Sequence, residues 1–500
     1  MRSRGRVNAL RPRPQTGHHP SLYPTPEPRP LSILAIACGA FATHKGPVMS
    51  ERATLEEAHE FLAKNPDIRH IQIMLTDNNG VLRGKSLRPS ELAALYQRGR
   101  PLPSSIAALT LNGDDADDTG LLWEVGDMDC LVFPVAGTLV RTPWLNAPTA
   151  QVLVMLDPTT GMPAAAADPR LAVTRVVAAL KSAGYCPVMA VELEFYLMEG
   201  ASVNERPPRA VIPRGKHPHV YCIEEVEALE GFFDDLYRCC DVQGLPAETA
   251  ISEFGPGQLE ITLTHRADTL RALDEAVMYR RLVKGVAARH GLLACFMAKP
   301  FAAYSGSGMH LHLSLLDEQG ENVFAAEDPA GTPLLHHAIG GMAKTAADAM
   351  LMFAPHANSY RRFCANSYAP LTPTWGVNNR TVSLRVPTGP AETRHIEHRI
   401  AGADANAYLA AAAVLAGVHH GLKYHLDPGA PVTGDGYHSN APVLPQQWQN
   451  AIEQCAQSPF MREYFGERFI QIYTAVKRTE ARRFMSEVTT QDFDWYLQMV

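Results

Sequence analysis

Residues 305–314 read Ser-Gly-Ser-Gly-Met-His-Leu-His-Leu-Ser, and the rest of the chain is organised around them. A glycine-rich turn leads here into a short run of alternating polar and apolar residues. Successive side chains of a β-strand point to opposite faces. His310, His312 and Ser314 are therefore expected to share one face, and the apolar residues between them the other. A single half-buried strand with its polar side in water would have the same pattern.

The same alternation recurs in four other segments, Val191–Leu197, Leu259–Leu263, Thr381–Arg385 and His395–Arg399. One such strand carries little weight, but five predict a single sheet. Its apolar face would pack on helices, because apolar side chains are driven out of water. Its polar face would line a shared cavity.

Acidic side chains gather on the polar face of this predicted sheet. The carboxylates on it or beside it are Glu192, Glu194, Glu253, Glu260 and Glu397. Crowded carboxylates repel one another unless a positive charge neutralises them. Oxygen ligands with a single imidazole suit Mg²⁺ or Mn²⁺ better than zinc. A divalent-metal site is one interpretation, and an ion-pair network on a surface sheet is the other.

Arginine side chains lie among the same segments, at Arg362, Arg380, Arg385 and Arg399. Arginine together with Mg²⁺ is the usual combination that stabilises a transferring phosphoryl group. The residue types gathered in this cavity therefore favour phosphoryl-transfer chemistry.

Five motifs follow one another along the chain. They are Glu-x-Glu at 192–194, Gly-Pro-Gly-Gln-x-Glu at 255–260, Gly-Ser-Gly-Met-His-x-His-x-Ser at 306–314, Asn-Asn-Arg at 378–380 and Ile-Glu-x-Arg at 396–399. In this order they resemble the motifs of the glutamine synthetase family, and the likeness runs from about Glu56 to the C-terminus. Within the family the chain looks most similar to the gamma-glutamylputrescine synthetase branch, through stretches such as Met297-Ala-Lys-Pro300 and Ala401–Asn406.

The resemblance implies an α+β fold in two parts. Residues 49–160 would form an N-terminal β-grasp domain, and residues 161–500 a catalytic domain with an antiparallel, barrel-like sheet flanked by helices. Residues 1–48, with many arginines and prolines, would be a disordered extension, or the result of an upstream start in front of the true initiator Met49. The family assembles as two stacked hexameric rings with active sites shared between neighbours, so a homo-oligomer is expected.

The resemblance also implies the cofactors, which are ATP and two or more Mg²⁺ (or Mn²⁺) ions. One ion would be held by Glu194, Glu253 and Glu260, and the other by Glu192, His310 and Glu397. The nucleotide would contact Glu248 near the ribose, His312, Ser314 and Arg385.

Substrate contacts follow from the same resemblance. Arg362 would grip the α-carboxylate of glutamate, a role suited to its bidentate fork, with Gly306 beside it. Arg380 and Arg399 would stabilise the transferring phosphoryl group, and ion pairing with the metal-site glutamates is their alternative. Asp77 would reach the active site of the adjacent subunit and hold the incoming ammonium group. Its alternative is a plain turn residue, because aspartate favours turns.

Three positions depart from the family pattern. Ser305 stands where many members have an asparagine that contacts glutamate, and His395 where an arginine commonly contacts ATP. Tyr368 replaces a flap glutamate that takes a proton from ammonia. A phenol is neutral near pH 7, but it offers an aromatic face to an alkyl chain or a cationic amine. Tyr368 therefore favours an amine acceptor, and the alternative is that it merely packs in a loop.

The predicted activity is ATP-dependent ligation of glutamate to putrescine or another polyamine through a gamma-glutamyl phosphate. A carboxylate does not condense with an amine in water without such activation. One alternative is a glutamine synthetase that uses ammonia. Another is a non-catalytic scaffold, which a loss of metal ligands would favour, whereas all six expected ligands are present.

Composition narrows the remaining classes of function. A net charge of -7 makes nucleic acid an unfavoured partner. Nine cysteines without Cys-x-x-Cys spacing are typical of a reducing cytoplasm. Residues 31–42 are apolar but too short to span a membrane. Gly80–Ser86 has three residues between its glycines where a P-loop needs four, so we interpret it as part of a β-hairpin.

Overall fold

The computed structural model describes residues 52–211 and 220–500 of the chain. The expectations for residues 1–48 and for Met49 lie outside the described residues. Within the two ranges the strands form a six-stranded and an eight-stranded sheet. No helix in these ranges is both long and apolar enough to cross a lipid bilayer.

The N-terminal part is built on the six-stranded sheet. Its strands are β1 (His70–Thr76), β2 (Leu82–Leu87), β3 (Arg100–Pro103), β4 (Asp129–Pro134), β5 (Val140–Arg141) and β6 (Thr149–Leu156), and its helices are α1 (Leu55–Lys64) and α2 (Leu92–Arg98). The strand order is β2-β1-β6-β4-β3, with β5 paired to β6. Strand β1 runs parallel to β6, and the other pairs are antiparallel. The assignment of this part as a β-grasp domain stays a prediction.

The β1–β2 hairpin turns between Thr76 and Leu82. Oδ1 of Asp77 accepts hydrogen bonds from the backbone amides of Asn79 at 2.9 Å and Val81 at 2.8 Å, which is an aspartate turn. Gly80 has a φ of 73°, a conformation that glycine adopts without steric cost. The return strand follows at once, so the hairpin interpretation of Gly80–Ser86 is confirmed.

The larger part alternates strands with helices. Its strands are β7 (Cys186–Glu199), β8 (Ala247–Ser252), β9 (Gln258–Leu263), β10 (Leu292–Cys295), β11 (Met309–Leu316), β12 (Trp375–Val377), β13 (Leu384–Val386) and β14 (Ile396–His398). Its helices are α3 (Pro169–Ser182), α4 (Ile223–Glu227), α5 (Glu230–Gln243), α6 (Thr269–Arg289), α7 (Pro333–Thr345), α8 (Met350–Phe353), α9 (Ala407–Tyr424), α10 (Trp448–Gln457), α11 (Pro459–Phe465), α12 (Glu467–Ser486) and α13 (Thr490–Tyr496).

The eight-stranded sheet has the order β12-β13-β14-β11-β7-β9-β8, and β10 pairs with β7. All of its pairs are antiparallel except β12 with β13. The expected antiparallel sheet with flanking helices is therefore present, apart from this one parallel pair.

The two faces of the sheet have the expected chemistry. Leu193 of β7 and Leu311 and Leu313 of β11 are buried in the main hydrophobic core. Burial of apolar side chains contributes about 25 cal/mol per Å² removed from water. Because side chains alternate along a strand, burying this row forces the polar row to the opposite face. The hydrophobic core thus sets the register that presents the acidic and imidazole side chains together.

Candidate active site

Strand pairing gathers the acidic and imidazole side chains into one cluster. The directly paired positions are His310 with Glu192, Glu194 with Glu260, and His312 with Glu397. Directly paired residues of neighbouring strands have their side chains next to each other on the same face. We call these six residues the carboxylate–imidazole cluster.

Glu192 lies at the centre of the cluster. Its Oε1 is 2.7 Å from Nδ1 of His310, and its Oε2 is 3.1 Å from Nε2 of His312. Burial opposes the ionisation of Glu192, but the hydrogen bonds with the two imidazoles outweigh it. They hold the pKa of the carboxyl well below its usual range. Glu192 is therefore an ionised carboxylate shared by two histidines.

Glu194 is fixed by the glycine-rich turn in front of β11. Its Oε2 accepts hydrogen bonds from the backbone amide of Gly308 at 2.9 Å and from Nε2 of Gln258 at 3.1 Å. The Gln258 amide also donates to the carbonyl oxygen of Gly306 at 3.0 Å. Sequence reasoning gave no role to Gln258, although its place in the Gly-Pro-Gly-Gln-x-Glu motif was the available signal. One carboxylate and one amide thus hold the turn against β7 and β9.

Glu253 and Glu260 lie in an excess of negative charge. Burial and the charges of Glu194 and Glu192 raise the pKa of Glu253 to about 8. Burial and the charge of Glu192 raise the pKa of Glu260 still further. A nearby cation reverses such shifts by stabilising the charged form. The site therefore has the electrostatic character of one that binds positive ions.

Two sets of ligand atoms in the cluster are compact enough to hold a metal ion. Glu192, Glu260 and His310 form one set, and Glu192, His312 and Glu397 form the other. Within each set the ligand atoms lie within 4.8 Å of one another. Carboxylate oxygens with a single imidazole fit Mg²⁺ or Mn²⁺. The donor chemistry thus agrees with the expected ions.

The grouping differs from the expected one, because Glu194 and Glu253 belong to neither set and His310 and Glu397 fall in different sets. The resemblance puts Glu260 with Glu194 and Glu253, whereas here its ligand atom lies close to that of Glu192. The resemblance also predicts that His312 contacts a phosphate of the nucleotide, whereas here His312 is hydrogen-bonded to Glu192. The division of the ligands between two ions stays a prediction.

Two arginines neutralise Glu397, which is buried. Nη1 of Arg385 donates to its Oε2 at 2.7 Å, and Nη1 of Arg399 donates to its Oε1. Burial raises the pKa of this carboxyl, but the charges of Arg399 and His310 outweigh burial and lower it to about 2. Arg399 thus makes the ion pair that was the alternative to a phosphoryl contact. Its phosphoryl role, like that of the exposed Arg380, stays a prediction.

Arg362 lies against the glycine-rich turn. It is buried, and its Nη1 and Nη2 donate to the carbonyl oxygens of Ile400 at 2.8 Å and Arg399 at 3.2 Å. A Cβ at Gly306 would lie 2.7 Å from Cγ of Arg362, and one at Gly308 would lie 2.8 Å from its Nη2. Both glycines are therefore required by the close approach of the arginine. The turn positions the arginine expected to bind glutamate.

Residues 166–496 match the family described as "Glutamine synthetase, catalytic domain". The chain belongs to the glutamine synthetase family. It is 36% identical to gamma-glutamylputrescine synthetase of Escherichia coli, over 89% of this chain and 95% of that protein. It is 31% identical to glutamate–isopropylamine ligase of a Pseudomonas species, over 89% of this chain and 98% of that protein. The resemblance inferred from the motifs is thereby confirmed.

Two further proteins are similar to this chain over most of its length. Glutamine synthetase of Thermotoga maritima is 26% identical, over 88% of this chain and 98% of that protein. A solved structure of GmaS without ligand has a TM-score of 0.75 and 25% identity, over 87% of this chain and 98% of that chain. The larger sheet is accordingly the curled half-barrel of the glutamine synthetase fold.

His395, which departs from the glutamine synthetase pattern, contacts His312, a residue predicted to bind the nucleotide. Nε2 of His395 is 3.2 Å from Nδ1 of His312, and the two ring centroids are 5.3 Å apart. Ser314 lies further along β11 and is half-buried, whereas Glu248 on β8 is exposed. The nucleotide contacts of His312, Ser314, Glu248 and Arg385 stay predictions.

Tyr368 belongs to an exposed aromatic pair. Its ring stacks on that of Phe254, with centroids 5.6 Å apart and planes at 27°. Tyr368 has a φ of 56°, in the left-handed region that tyrosine rarely adopts. Sequence reasoning did not single out Phe254. Its signal was its position directly after Glu253, a predicted metal ligand.

The side chain of Asp77 is hydrogen-bonded within its own hairpin, and its backbone carbonyl oxygen accepts from Nδ2 of Asn406 at 2.9 Å. In addition to the two turn amides, Nε of Arg83 donates to its Oδ2 at 2.9 Å. Burial raises the pKa of Asp77, and these hydrogen bonds only partly oppose it. The contacts within one chain are those of a turn residue. Its role in the active site of a neighbouring subunit stays a prediction.

Proposed function

We propose that this chain is an ATP-dependent gamma-glutamyl–amine ligase that joins glutamate to putrescine or another polyamine. The observation that carries the proposal is the carboxylate–imidazole cluster with Arg385 and Arg399 beside it. Such a cluster fits divalent ions, and arginines next to such ions fit a transferring phosphoryl group. Two relatives named for the ligation of amines support the acceptor class.

The reaction has two balanced steps. An oxygen of the γ-carboxylate of glutamate attacks the γ-phosphorus of ATP, the bond to the bridging oxygen breaks, and ADP leaves. The amine nitrogen then attacks the carbonyl carbon of the gamma-glutamyl phosphate. Inorganic phosphate leaves, and the nitrogen loses a proton.

Each expected substrate contact has a chemical reason. Arg362, beside Gly306, would bind the α-carboxylate of glutamate through two parallel hydrogen bonds. Arg380 and Arg399 would balance the negative charge of the transferring phosphoryl group. Asp77 from a neighbouring subunit would hold the ammonium group of the acceptor. The nucleotide would contact Glu248, His312, Ser314 and Arg385.

Two or more Mg²⁺ or Mn²⁺ ions complete the proposed site. Their ligands would be Glu192, Glu194, Glu253, Glu260, His310 and Glu397. When bound, the ions neutralise and orient the phosphates. The raised pKa values of Glu253 and Glu260 support this, because they reflect burial together with an excess of negative charge.

The proposal extends to the whole chain. Residues 49–160 would be a β-grasp domain and residues 161–500 the catalytic domain. The subunits would form two stacked hexameric rings in the cytoplasm. Neither nucleic acid nor membrane would be a partner.

A panel of acceptors with glutamate and ATP, in which phosphate release is followed, tests the proposal. Putrescine or a longer polyamine should give the highest kcat/KM. Ammonia outperforming every amine would assign the chain to the glutamine synthetase alternative. A chain that releases no phosphate with any acceptor would be a scaffold.

A further inference from the structure

Two aromatic rings stand exposed beside a strongly charged site. Phe254 is 45% exposed and Tyr368 is 46% exposed, although the two rings stack on each other. Apolar surface in water is unfavourable. An exposed apolar patch rimmed by polar groups is typical of a binding surface. The pair is therefore a candidate for contact with an apolar part of a substrate.

Phe254 lies in the turn between β8 and β9, which is hydrogen-bonded to the cluster through Gln258. The backbone amide of Gly255 donates to Oε1 of Gln258 at 2.9 Å, and Nε2 of Gln258 donates to Glu194 at 3.1 Å. A Cβ at Gly255 would lie 1.9 Å from the hydroxyl oxygen of Tyr196, so the backbone packs directly on this tyrosine. The position of Phe254 is thus tied to that of a predicted metal ligand.

Tyr368 is held from the side on which glutamate is expected. The hydroxyl of Ser367 donates to the carbonyl oxygen of Cys364 at 2.6 Å and lies 3.3 Å from that of Arg362. The hydroxyl of Tyr437 donates to the carbonyl oxygen of Ala369 at 3.1 Å. A left-handed tyrosine backbone persists only where its surroundings fix it. The aromatic pair therefore bridges the loop after β8 and the segment next to Arg362.

We infer that Phe254 determines acceptor specificity, and that Phe254 and Tyr368 together bind the hydrocarbon chain of the amine. The ligand class is a primary amine with a chain of methylene groups, which would lie against the rings. A second ammonium group at the far end would lie over the same faces. Ammonia has no methylene group and gains nothing from the pair. This inference rests on the proposed function, because it names the acceptor subsite of that active site.

Substitution of Phe254 tests the inference through the ratio of kcat/KM for putrescine to kcat/KM for ammonia. Phe254→Ala should lower this ratio at least about 10-fold, the size expected for lost apolar contacts in a pocket. Phe254→Leu should retain most of it. The preference for butylamine over methylamine should fall in parallel, because the subsite recognises methylene groups. Trp123→Ala removes a ring that is 86% exposed and should leave both ratios unchanged.

Three outcomes separate the inference from the proposed function. An unchanged ratio in Phe254→Ala, with a wild-type protein that ligates amines, overturns the inference alone. An equal loss for every acceptor, with a raised Mg²⁺ requirement, gives Phe254 a structural role beside Glu253 and also overturns it. A wild-type protein that ligates no amine overturns the proposed function. Thermal unfolding checks that Phe254→Ala folds, and Tyr368→Ala removes the other ring as a second test.

Discussion

His310 and Glu192 face each other across β11 and β7, with Nδ1 of the histidine 2.7 Å from Oε1 of the glutamate. The pair joins two central strands of the larger sheet. The predicted metal ligands Glu260 of β9 and Glu397 of β14 lie on the strands to either side. Glu192 belongs to both sets of candidate metal ligands. A change of charge on either side therefore alters the field at Glu192. The cluster acts as one electrostatic unit.

Removal of a cluster carboxylate should abolish phosphate release without unfolding the chain. Glu194→Ala and Glu397→Ala delete ligands expected to bind different ions. Each substitution leaves the remaining carboxylates crowded with too little positive charge. Phosphate release at saturating Mg²⁺ is the measurement, with thermal unfolding as the check on folding. The exposed Glu318→Ala is the control. Near-normal turnover of either cluster variant would contradict the two-ion assignment.

A methyl group on the glycine-rich turn should disturb glutamate binding. In Gly306→Ala the new Cβ would lie 2.7 Å from both Cγ of Arg362 and the carbonyl oxygen of Ala298, so the arginine must shift. Displacement of a positioning group by about 1 Å can cost about 100-fold in rate. We expect kcat/KM for glutamate to fall about 10- to 100-fold.

The control for this substitution is Gly231→Ala on α5. A Cβ there would be 3.9 Å from the nearest atom, on His290, and alanine is the better helix former. Normal glutamate kinetics in Gly306→Ala would show that Arg362 does not bind glutamate.

Mixed oligomers should show whether Asp77 serves a neighbouring site. Neither Asp77→Ala nor Arg399→Ala subunits alone should be active. Mixing them should restore some activity, because some sites would then carry both native residues. Loss of the hydrogen bonds of Asp77 to its turn and to Arg83 should also lower the unfolding temperature, since the buried amide of Asn79 loses its partner and an unsatisfied buried group costs about 1–3 kcal/mol. Lower stability without recovery in verified mixed oligomers would leave Asp77 a turn residue only.

His398 should make the fold sensitive to acid. Its ring is buried, with its centroid 4.4 Å from that of Phe353, and burial lowers its pKa from 6.5 to about 3. Between these values the unfolded chain binds a proton that the folded chain does not. The contribution of this histidine to stability is therefore complete above about pH 6.5 and is lost as the pH falls towards about 3.

The measurement is the free energy of unfolding from about pH 7.5 down to about pH 5, for the wild type and His398→Gln. The variant should lose stability less steeply with acidification, by up to about 1.4 kcal/mol per pH unit. Parallel curves would show that His398 does not contribute to the acid sensitivity.

Local patterns in the sequence account for the sheet and for the identity of the candidate metal ligands on it. The alternation around Glu192, Glu194 and His310 predicts which face they share, because a period of two is a property of one strand alone. Hydrogen bonding of His312 to Glu192 could not be predicted in this way. It depends on which strands pair and in which register, and both are set by the packing of the whole core.

The segment Thr381–Arg385 shows where alternation misleads. Its pattern predicts a strand, but only Leu384 and Arg385 belong to β13. The backbone amide and the hydroxyl of Thr381 bind Oδ1 of Asn379 at 2.9 and 2.7 Å, which makes a turn. Asparagine side chains offer such local alternatives to the hydrogen bonds of a sheet. The Phe254–Tyr368 stack lay beyond prediction for a different reason, because it joins two loops that are distant in sequence.

The identity of residue 368 should set the choice of acceptor. Tyr368→Glu introduces a carboxylate that can draw in ammonium, and it removes one face of the aromatic pair. We expect the preference to move towards ammonia, seen as a fall in the putrescine-to-ammonia ratio of kcat/KM. Tyr368→Phe keeps the ring and should keep the wild-type ratio. A wild-type ratio in Tyr368→Glu would show that this position only packs in a loop.

The most direct test of the account is a competition for one pool of glutamate. The wild-type protein is supplied with ATP, Mg²⁺, glutamate and equal concentrations of putrescine and ammonia, and the products are identified by mass spectrometry. The account predicts gamma-glutamylputrescine as the dominant product, with ADP and phosphate formed in equal amounts. Glutamine as the dominant product would contradict it.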